Sequence, residues 1–325
     1  MNKKVLVVNR LEKEALDELQ QEADTNVFIG DASLENPEFL KALQDAEGIT
    51  GLGLPVNKEL LQAAPQLKIV SNVSVGHNNL DLEEMTKRGV MATNTPDVLN
   101  DTVADLAFSL ILATSRRIPE MDQYVKTGKW QEDLPAELYG WDVHHKTLGI
   151  IGMGRIGEEI AHRAHHGFHM DILYHTRSKK PAAEEKFGAT YCSLDDLLQK
   201  ADFVVLMIPL TPSTKGMIGE REFSLMKETS IFINVSRGQN VVEEDLIAAL
   251  QNGEIRAAGL DVFDPEPVVQ DNPLLNMHNV VVTPHVGSST YATELKMSKL
   301  AVKNLLIGLR GEKPGELLNE EVWER

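Results

Sequence analysis

The chain has few features that would place it outside a reducing compartment or in a membrane. Its single cysteine, Cys192, excludes an intramolecular disulfide, and we interpret it as a packed thiol. The longest apolar runs, such as 203–210, are far shorter than a membrane span. The apolar stretch 5–8 is too short for the core of a signal peptide. We therefore expect a cytoplasmic protein with no membrane partner.

Positive charge is also scarce. The 32 lysines and arginines stand against 49 aspartates and glutamates, which gives a net charge of −17 and argues against nucleic acid as a partner. A hydrophobic content of 42% is ordinary for a globular protein, and 325 residues suggest about two domains. In so acidic a chain, an arginine beside a predicted ligand site is informative.

The segment 147–157, TLGIIGMGRIG, predicts a dinucleotide site. Four apolar or small residues predict a buried strand, a Gly-x-Gly-x-x-Gly loop follows, and a helical pattern comes next. In such a loop the glycines allow a tight turn, close approach to a pyrophosphate, and packing of helix on strand. The helix N-terminus would bind the anion. The alternative is a strand–helix turn with no ligand. The candidate cofactor residues here are Gly152, Gly154, Arg155, Ile156 and Gly157.

Strands and helices alternate along the whole chain, which predicts parallel α/β architecture. The predicted strands before the glycine loop are 4–9, 27–29, 48–51, 68–72 and 90–92, and those after it are 172–175, 203–208, 230–235, 257–262 and 280–283. A long helix over 102–116, capped by Asn100 or Asp101, suggests a domain crossing near residue 100. A final helix over 290–309 could return the chain to the first domain.

The segment 119–143 is predicted to be irregular and carries four large aromatic residues. A long irregular segment in a compact domain usually has a function. We expect it to cover a second copy of the chain in a homodimer, and simple surface packing is the alternative.

The strand after the glycine loop indicates which dinucleotide binds. An acid at its tip would bond the adenosine ribose hydroxyls, but the strand ends at His175 and is followed by Thr176, Arg177 and Ser178. Asp171 lies at the opposite end of this strand. A guanidinium and a hydroxyl suit a 2′-phosphate, so we expect NADP(H) to be preferred over NAD(H). The alternative is a solvated basic turn.

Three residues with complementary chemistry follow predicted strands. They are Arg237 in NVSRG, Glu266 in DVFDPEP and His285 in TPHVG. The carboxyl ends of parallel strands meet at one edge of a sheet, beside the cofactor. Arginine binds a carboxylate bidentately, histidine exchanges protons near neutral pH, and glutamate can support the imidazolium.

These motifs together resemble those of the D-isomer-specific 2-hydroxyacid dehydrogenases. The resemblance rests on residues 152–157, 234–238, 257–267 and 283–290 and covers nearly the whole chain. The segments VLNDTVADLAFSLIL and WDVHHKTLGIIGMGRIG look most similar to its bacterial glyoxylate/hydroxypyruvate reductase branch, which also reduces 2-ketogluconate. The resemblance implies a catalytic triad of Arg237, Glu266 and His285, and a preference for NADPH.

The resemblance also implies the division of the chain. Residues 1–100 and 291–325 would form a flavodoxin-like substrate domain, and residues 101–290 a Rossmann domain that binds NADP. Val75 and Gly76 match the loop whose backbone N–H groups hold the substrate carboxylate, together with Arg237 and His285. Asp261 matches the residue that meets the nicotinamide carboxamide. The other positions matching the cofactor wall are Thr102, Ile208, Pro209, Val235, Ser236, His285 and Gly287.

Two departures from the family concern one loop. Family members commonly carry Glu-Gln-Glu-Pro or a similar run where this chain has 264–267, and the segment 268–270 lengthens the loop that follows. Neither departure removes a member of the implied triad.

We thus expect a reductase of small 2-keto acids, namely glyoxylate, hydroxypyruvate and 2-ketogluconate. The alternatives are an NAD-linked D-lactate or phosphoglycerate dehydrogenase, and a corepressor of the same fold that senses the cofactor. Four histidines at helical spacing could present a metal, but no cysteine or acid completes the set, so we expect no metal site. They are His162, His165, His166 and His169.

Overall fold

A computed structural model describes residues 3–324, and the chain divides into two compact units. One unit comprises Met1–Leu99 with Ser289–Arg325, and the other comprises Asn100–Ser288. These bounds lie within two residues of the predicted domain limits. The assignment of one unit to substrate and the other to cofactor stays a prediction.

The first unit contains a five-stranded parallel sheet in the order β2-β1-β3-β4-β5, the flavodoxin-like order. Its strands are β1 (Lys4–Val8), β2 (Asp24–Phe28), β3 (Gly48–Gly51), β4 (Ile69–Asn72) and β5 (Met91–Thr93). Its helices are α1 (Lys13–Glu22), α2 (Pro37–Asp45), α3 (Lys58–Ala63), α4 (Leu82–Lys87) and α12 (Tyr291–Leu309). Asn36, Asn57 and Asp81 each accept a backbone N–H bond at the start of a helix, which explains where α2, α3 and α4 begin.

The second unit contains a seven-stranded parallel sheet in the order β12-β11-β10-β9-β6-β7-β8. Its strands are β6 (Thr147–Ile151), β7 (Asp171–His175), β8 (Thr190–Tyr191), β9 (Phe203–Leu206), β10 (Ile231–Asn234), β11 (Ala257–Leu260) and β12 (Val280–Val282). Its helices are α5 (Asn100–Ser115), α6 (Ile118–Lys126), α7 (Arg155–Phe168), α8 (Pro181–Phe187), α9 (Leu194–Lys200), α10 (Glu220–Leu225) and α11 (Glu243–Asn252). Apart from the extra strand β12, this is the Rossmann order, with its switch point between β6 and β9.

The central strands of this sheet are buried on both faces, as expected where helices cover a parallel sheet. All four residues of β9, β10 and β11 are buried. Two apolar clusters lie on the two faces, one packed against α5 and α7 and the other against α9 to α11. The two predicted parallel α/β sheets are therefore confirmed.

Three local predictions were wrong. β2 spans Asp24–Phe28 rather than 27–29. It pairs with the whole length of β1, beginning at Lys4, and as an edge strand without a buried face it has no apolar run that marks its start. The segment 119–143 is not wholly irregular, since α6 begins directly after Arg117. No residue of α6 is buried, although Ile118, Met121 and Val125 recur at helical spacing, a pattern that the sequence analysis did not use. α5 includes Asn100 and Asp101, which therefore do not precede it.

The helices α8 and α9 were not anticipated. Each is seven residues long, about two turns, and buries two residues. No helix within residues 3–324 is both long and apolar enough to cross a membrane.

Candidate active site

The glycine loop has the geometry that a pyrophosphate requires. Gly152 has φ +107°, and a Cβ there would lie 2.1 Å from the Met207 carbonyl oxygen. A Cβ at Gly157 would lie 2.3 Å from the Gly152 carbonyl oxygen. At Gly154, by contrast, a Cβ would meet nothing within 4 Å, and no side chain caps α7 there. Backbone atoms thus crowd Gly152 and Gly157, whereas the space beside Gly154 at the start of α7 is open. An open helix N-terminus of this kind can bind a phosphate.

The tip of β7 carries a basic residue and a hydroxyl, with a histidine where an acid would bond the ribose. The ring of His175, at the place of the usual acid, is held by its Nδ1 at 3.0 Å from the Cys192 carbonyl and stacks on Tyr191. Arg177 and Ser178 are exposed. Within residues 3–324, Arg177 has no carboxylate partner. An open guanidinium beside a hydroxyl is available to bind an anion.

The wall opposite this tip is formed by the ends of β9 and β10. Ile208 is half-buried and Pro209 is exposed just beyond β9, whereas Val235 and Ser236 are buried beyond β10. Thr102 lies in the first turn of α5, half-buried. These five predicted cofactor residues all belong to the second unit.

The three candidate catalytic residues follow adjacent strands in register. Asn234 pairs with Leu260, and Leu260 pairs with Val282, so β10, β11 and β12 end level with one another. Arg237, Glu266 and His285 come from the loops that begin at this edge. The sequence prediction that one sheet edge carries all three is thus met by the register.

Two of these loops touch through their backbones. A Cβ at Gly238 would lie 2.0 Å from the Phe263 carbonyl oxygen, so only glycine allows this approach. Gln239 Nε2 donates to Asp264 Oδ1 at 2.9 Å across the same contact. The loop of Arg237 and the loop of Glu266 therefore hold each other in place.

His285 and Glu266 form a close pair. His285 Nδ1 lies 2.7 Å from Glu266 Oε2, and Phe263 N–H donates to Glu266 Oε1 at 3.0 Å. In the described part of the chain nothing bonds to His285 Nε2. Since Nδ1 faces the carboxylate, Nε2 is the ring atom that can exchange a proton with a ligand.

The electrostatics keep Glu266 ionised. Burial raises its pKa, but the bonds from His285 and Phe263 and the charges of His285 and Arg237 outweigh burial and hold the pKa below the ordinary 4.5. Burial lowers the pKa of Arg237, and the charge of Glu266 opposes that effect. Arg237 Nη1 also donates to the Ser236 carbonyl at 2.6 Å. A carboxylate, an imidazole and a guanidinium thus interact in one place.

Asp261 holds the loop that carries His285. It is 1% exposed, and its oxygens accept bonds from Thr283 Oγ1 at 2.6 Å and from the N–H groups of Val286 and Gly287 at 2.9 Å. Burial raises its pKa above the ordinary 3.8, although these bonds and the charge of His285 oppose the change. His285 has φ +52°, a conformation that this clamp supports. The sequence had assigned Asp261 to the nicotinamide alone and missed these bonds.

Val75 and Gly76 lie in the first unit, in the loop after β4. Buried Asn94 donates to the Val75 carbonyl at 2.9 Å, and buried Asn72 donates to the Gly76 carbonyl at 3.0 Å. Within residues 3–324, no group accepts from the N–H of either residue. The loop is therefore fixed by its carbonyls and offers two N–H donors.

The histidines of α7 pack among themselves. The rings of His162 and His166 lie 4.8 Å apart, as do those of His165 and His166, and all three lie near Phe187. Among the residues that the structure describes, no group of three or more His, Cys, Asp or Glu residues could hold a metal ion.

The fold and this site define a dinucleotide-binding unit with an acid–base pair at its sheet edge. Residues 108–287 match the model of the D-isomer specific 2-hydroxyacid dehydrogenases, NAD binding domain. A glyoxylate/hydroxypyruvate reductase B of Yersinia pestis bv. Antiqua (strain Nepal516) is 47% identical over 304 residues, which are 94% of this chain and 93% of that protein. The chain belongs to the D-isomer-specific 2-hydroxyacid dehydrogenases. The resemblance seen in its motifs is confirmed.

Solved structures agree. A protein of Thermus thermophilus superposes with a TM-score of 0.90 and 38% identity, covering 97% of this chain and 99% of that one. An NADPH-dependent glyoxylate/hydroxypyruvate reductase from Sinorhizobium meliloti, in complex with NADP and malonate, has a TM-score of 0.88 and 34% identity, covering 99% and 98%. The protein is accordingly an oxidoreductase that uses a nicotinamide cofactor, and its family acts on small keto or hydroxy acids.

Proposed function

We propose that the protein reduces small 2-keto acids to D-2-hydroxy acids with NADPH, and that glyoxylate and hydroxypyruvate are its main substrates. The observation that carries this proposal is the His285–Glu266 pair at 2.7 Å, which leaves Nε2 without a protein partner within residues 3–324. The relatives named as glyoxylate/hydroxypyruvate reductases support the choice of substrates. 2-Ketogluconate is a further candidate substrate.

The proposed roles follow from the chemistry of each group. A bound reduced nicotinamide supplies the hydride. The imidazolium of His285 donates its Nε2 proton to the substrate carbonyl oxygen as that oxygen becomes an alkoxide. Glu266 accepts from Nδ1–H and stabilises the imidazolium before transfer. Arg237 binds the substrate carboxylate in its fork.

Turnover tests the reductase directly. Purified protein with NADPH is mixed with glyoxylate, hydroxypyruvate or 2-ketogluconate, and the loss of NADPH absorbance is followed. Consumption of cofactor with at least one of the first two acids is expected. Turnover with none of the three would refute the proposal and favour the corepressor role of a cofactor sensor. Turnover confined to NADH with lactate- or phosphoglycerate-type acids would favour the NAD-linked alternative.

We further propose that NADPH is preferred because Arg177 and Ser178 bind the 2′-phosphate. A hydrogen bond to a charged group contributes about 1.5–3 kcal/mol, so Arg177→Ala should lower kcat/KM for NADPH by roughly 10- to 100-fold. The value for NADH should change less than about threefold. Lys146→Ala is the matched control, at an exposed lysine beside the start of β7 and at the opposite end of that strand from Arg177. Equal losses with both cofactors would contradict the assignment.

The segment 118–143 is proposed as the contact of a homodimer. α6 buries no residue, and Val125, Trp130 and Tyr139 are 54%, 64% and 58% exposed. Exposed aromatic side chains at this density are typical of an interaction surface. Sedimentation should give a dimer mass for the wild type and a shift toward monomer for the double variant Trp130→Ser/Tyr139→Ser. A monomeric wild type would refute the proposal.

A further inference from the structure

Asn240 is a buried amide that the proposed reaction does not use. It has no exposed surface and lies in the short 3-10 turn Gly238–Asn240, directly after Arg237. Its Nδ2 donates to the Ile208 carbonyl at 3.1 Å and to Ser236 Oγ at 3.2 Å. The opposite orientation of the amide would set its oxygen against the Ile208 oxygen. The bonding pattern therefore fixes which end is the donor.

The chain of hydrogen bonds continues to the backbone of Arg237. Ser236 Oγ donates to Asn234 Oδ1 at 2.8 Å, and the same oxygen accepts from Ser236 N–H at 3.0 Å. Asn234 Nδ2 then donates to the Arg237 carbonyl at 3.1 Å, and Asn240 N–H donates to that carbonyl at 3.2 Å. Two buried asparagines thus hold the carbonyl of Arg237 and the side chain of Ser236, the residue directly before it.

Packing alone does not explain an amide at this position. Asn240 Oδ1 is buried and has no hydrogen-bond partner among the described residues. A buried polar atom without a partner costs free energy that an apolar side chain of similar size would not. What the amide provides, and a leucine would not, is the pair of bonds to Ile208 and Ser236.

We propose that Asn240 is a positioning residue for Arg237. Through Ser236 and Asn234 it fixes the backbone from which the guanidinium projects, and it joins that backbone to the end of β9. The inference rests on the proposed function in one respect, namely that Arg237 binds the substrate carboxylate. Loss of the bonds should weaken the binding of the keto acid, because a misplaced fork no longer makes both of its contacts.

The test compares Asn240→Leu with Asn279→Leu. Asn279 makes one bond of the same kind, from Nδ2 to the Arg256 carbonyl at 3.0 Å, at the other end of the strands. For Asn240→Leu, measured at saturating NADPH, we expect KM for glyoxylate to rise about tenfold, with kcat within about twofold. The control should leave both values within about twofold. A purely structural loss would not produce this separation of KM from kcat.

Hydrogen exchange provides a measurement that does not depend on turnover. In Asn240→Leu, the peptide covering residues 234–240 should exchange faster than in the wild type, while the control leaves it unchanged. An unchanged KM, an equal rise of KM in the control, or unchanged exchange of this peptide would each overturn the positioning role. A wild type that reduces no 2-keto acid would refute the proposed function instead, and the exchange rates would still decide whether Asn240 holds the loop.

Discussion

The His285–Glu266 pair makes the variant Glu266→Gln an informative perturbation. The carboxylate uses both oxygens, one for His285 Nδ1 and one for Phe263 N–H. Glutamine has one acceptor and one donor at the same places. Whichever way the amide turns, its NH₂ faces either the ring or the Phe263 N–H. If the oxygen keeps Phe263 N–H, the NH₂ faces Nδ1, which disfavours an Nδ1–H and thus the imidazolium.

The magnitude follows from the exposure of the pair. A hydrogen bond to a charged group contributes about 1.5–3 kcal/mol. The side chains of His285 and Glu266 are 44% and 35% exposed, so solvent screening places the loss near the lower end, at about 1.5 kcal/mol. Every 1.4 kcal/mol is a factor of ten, so Glu266→Gln should lower kcat/KM for glyoxylate reduction by roughly tenfold at neutral pH.

The sign can be checked on the acidic side of the pH profile. The pKa of Glu266 lies below its ordinary 4.5, so the carboxylate stays charged through the range of a normal assay and is neutralised only as the pH falls below that value. The loss caused by Glu266→Gln should therefore be full at neutral pH. It should shrink in acid, where the wild-type carboxylate is neutralised as well.

The assay is kcat/KM for glyoxylate reduction, measured across pH in the wild type and the variant. Glu222→Gln is the control, because Glu222 caps Gly219 N–H and pairs with Arg221 away from the ring of His285. A variant with the wild-type kcat/KM at neutral pH would refute the role given to Glu266. So would an equal loss in the control.

Two further substitutions test the loops that carry the triad. Gly238→Ala places a methyl group 2.0 Å from the Phe263 oxygen. A thermal melt should show a free energy of unfolding lower by about 1–3 kcal/mol, and a rate assay should show a lower kcat/KM. Gly167→Ala is the control and should change neither value, because a Cβ there meets nothing within 4 Å. Asp261→Asn leaves one of its three donors without an acceptor. It should cost about 1–3 kcal/mol in chemical denaturation and lower kcat, and unchanged kcat would contradict the clamp.

The sequence predicted the elements whose signal is local. The glycine loop, Arg177 at the strand tip and the three strand-end residues were identified because motif, spacing and side-chain chemistry coincide there. The buried strands were found from their apolar runs. β2 was misplaced because it buries no apolar face and its extent is set by pairing with β1. α6 was missed although its apolar residues recur at helical spacing, because the segment was assigned from its large aromatic residues instead.

The supporting contacts of the site could not be read from the sequence. In the sequence, Asn234 and Asn240 are indistinguishable from ordinary turn residues. Only the structure shows that both side chains form hydrogen bonds with Ser236 Oγ. Gly238 gave no signal beyond its place after Arg237. Its need for glycine comes from the Phe263 carbonyl, which lies more than twenty residues further on and on another strand end.

Backbone hydrogen bonds connect the loops that carry the three candidate catalytic residues. Asp261 N–H donates to the Asn234 carbonyl at 3.0 Å, and His285 N–H donates to the Asp261 carbonyl at 2.9 Å. The Arg237 loop, the Glu266 loop and the His285 loop are thus linked in series through the ends of β10, β11 and β12. Double variants across this series, such as Asn240→Leu with Asp261→Asn, should therefore depart from additivity in kcat/KM by more than the roughly 0.5 kcal/mol typical of independent sites.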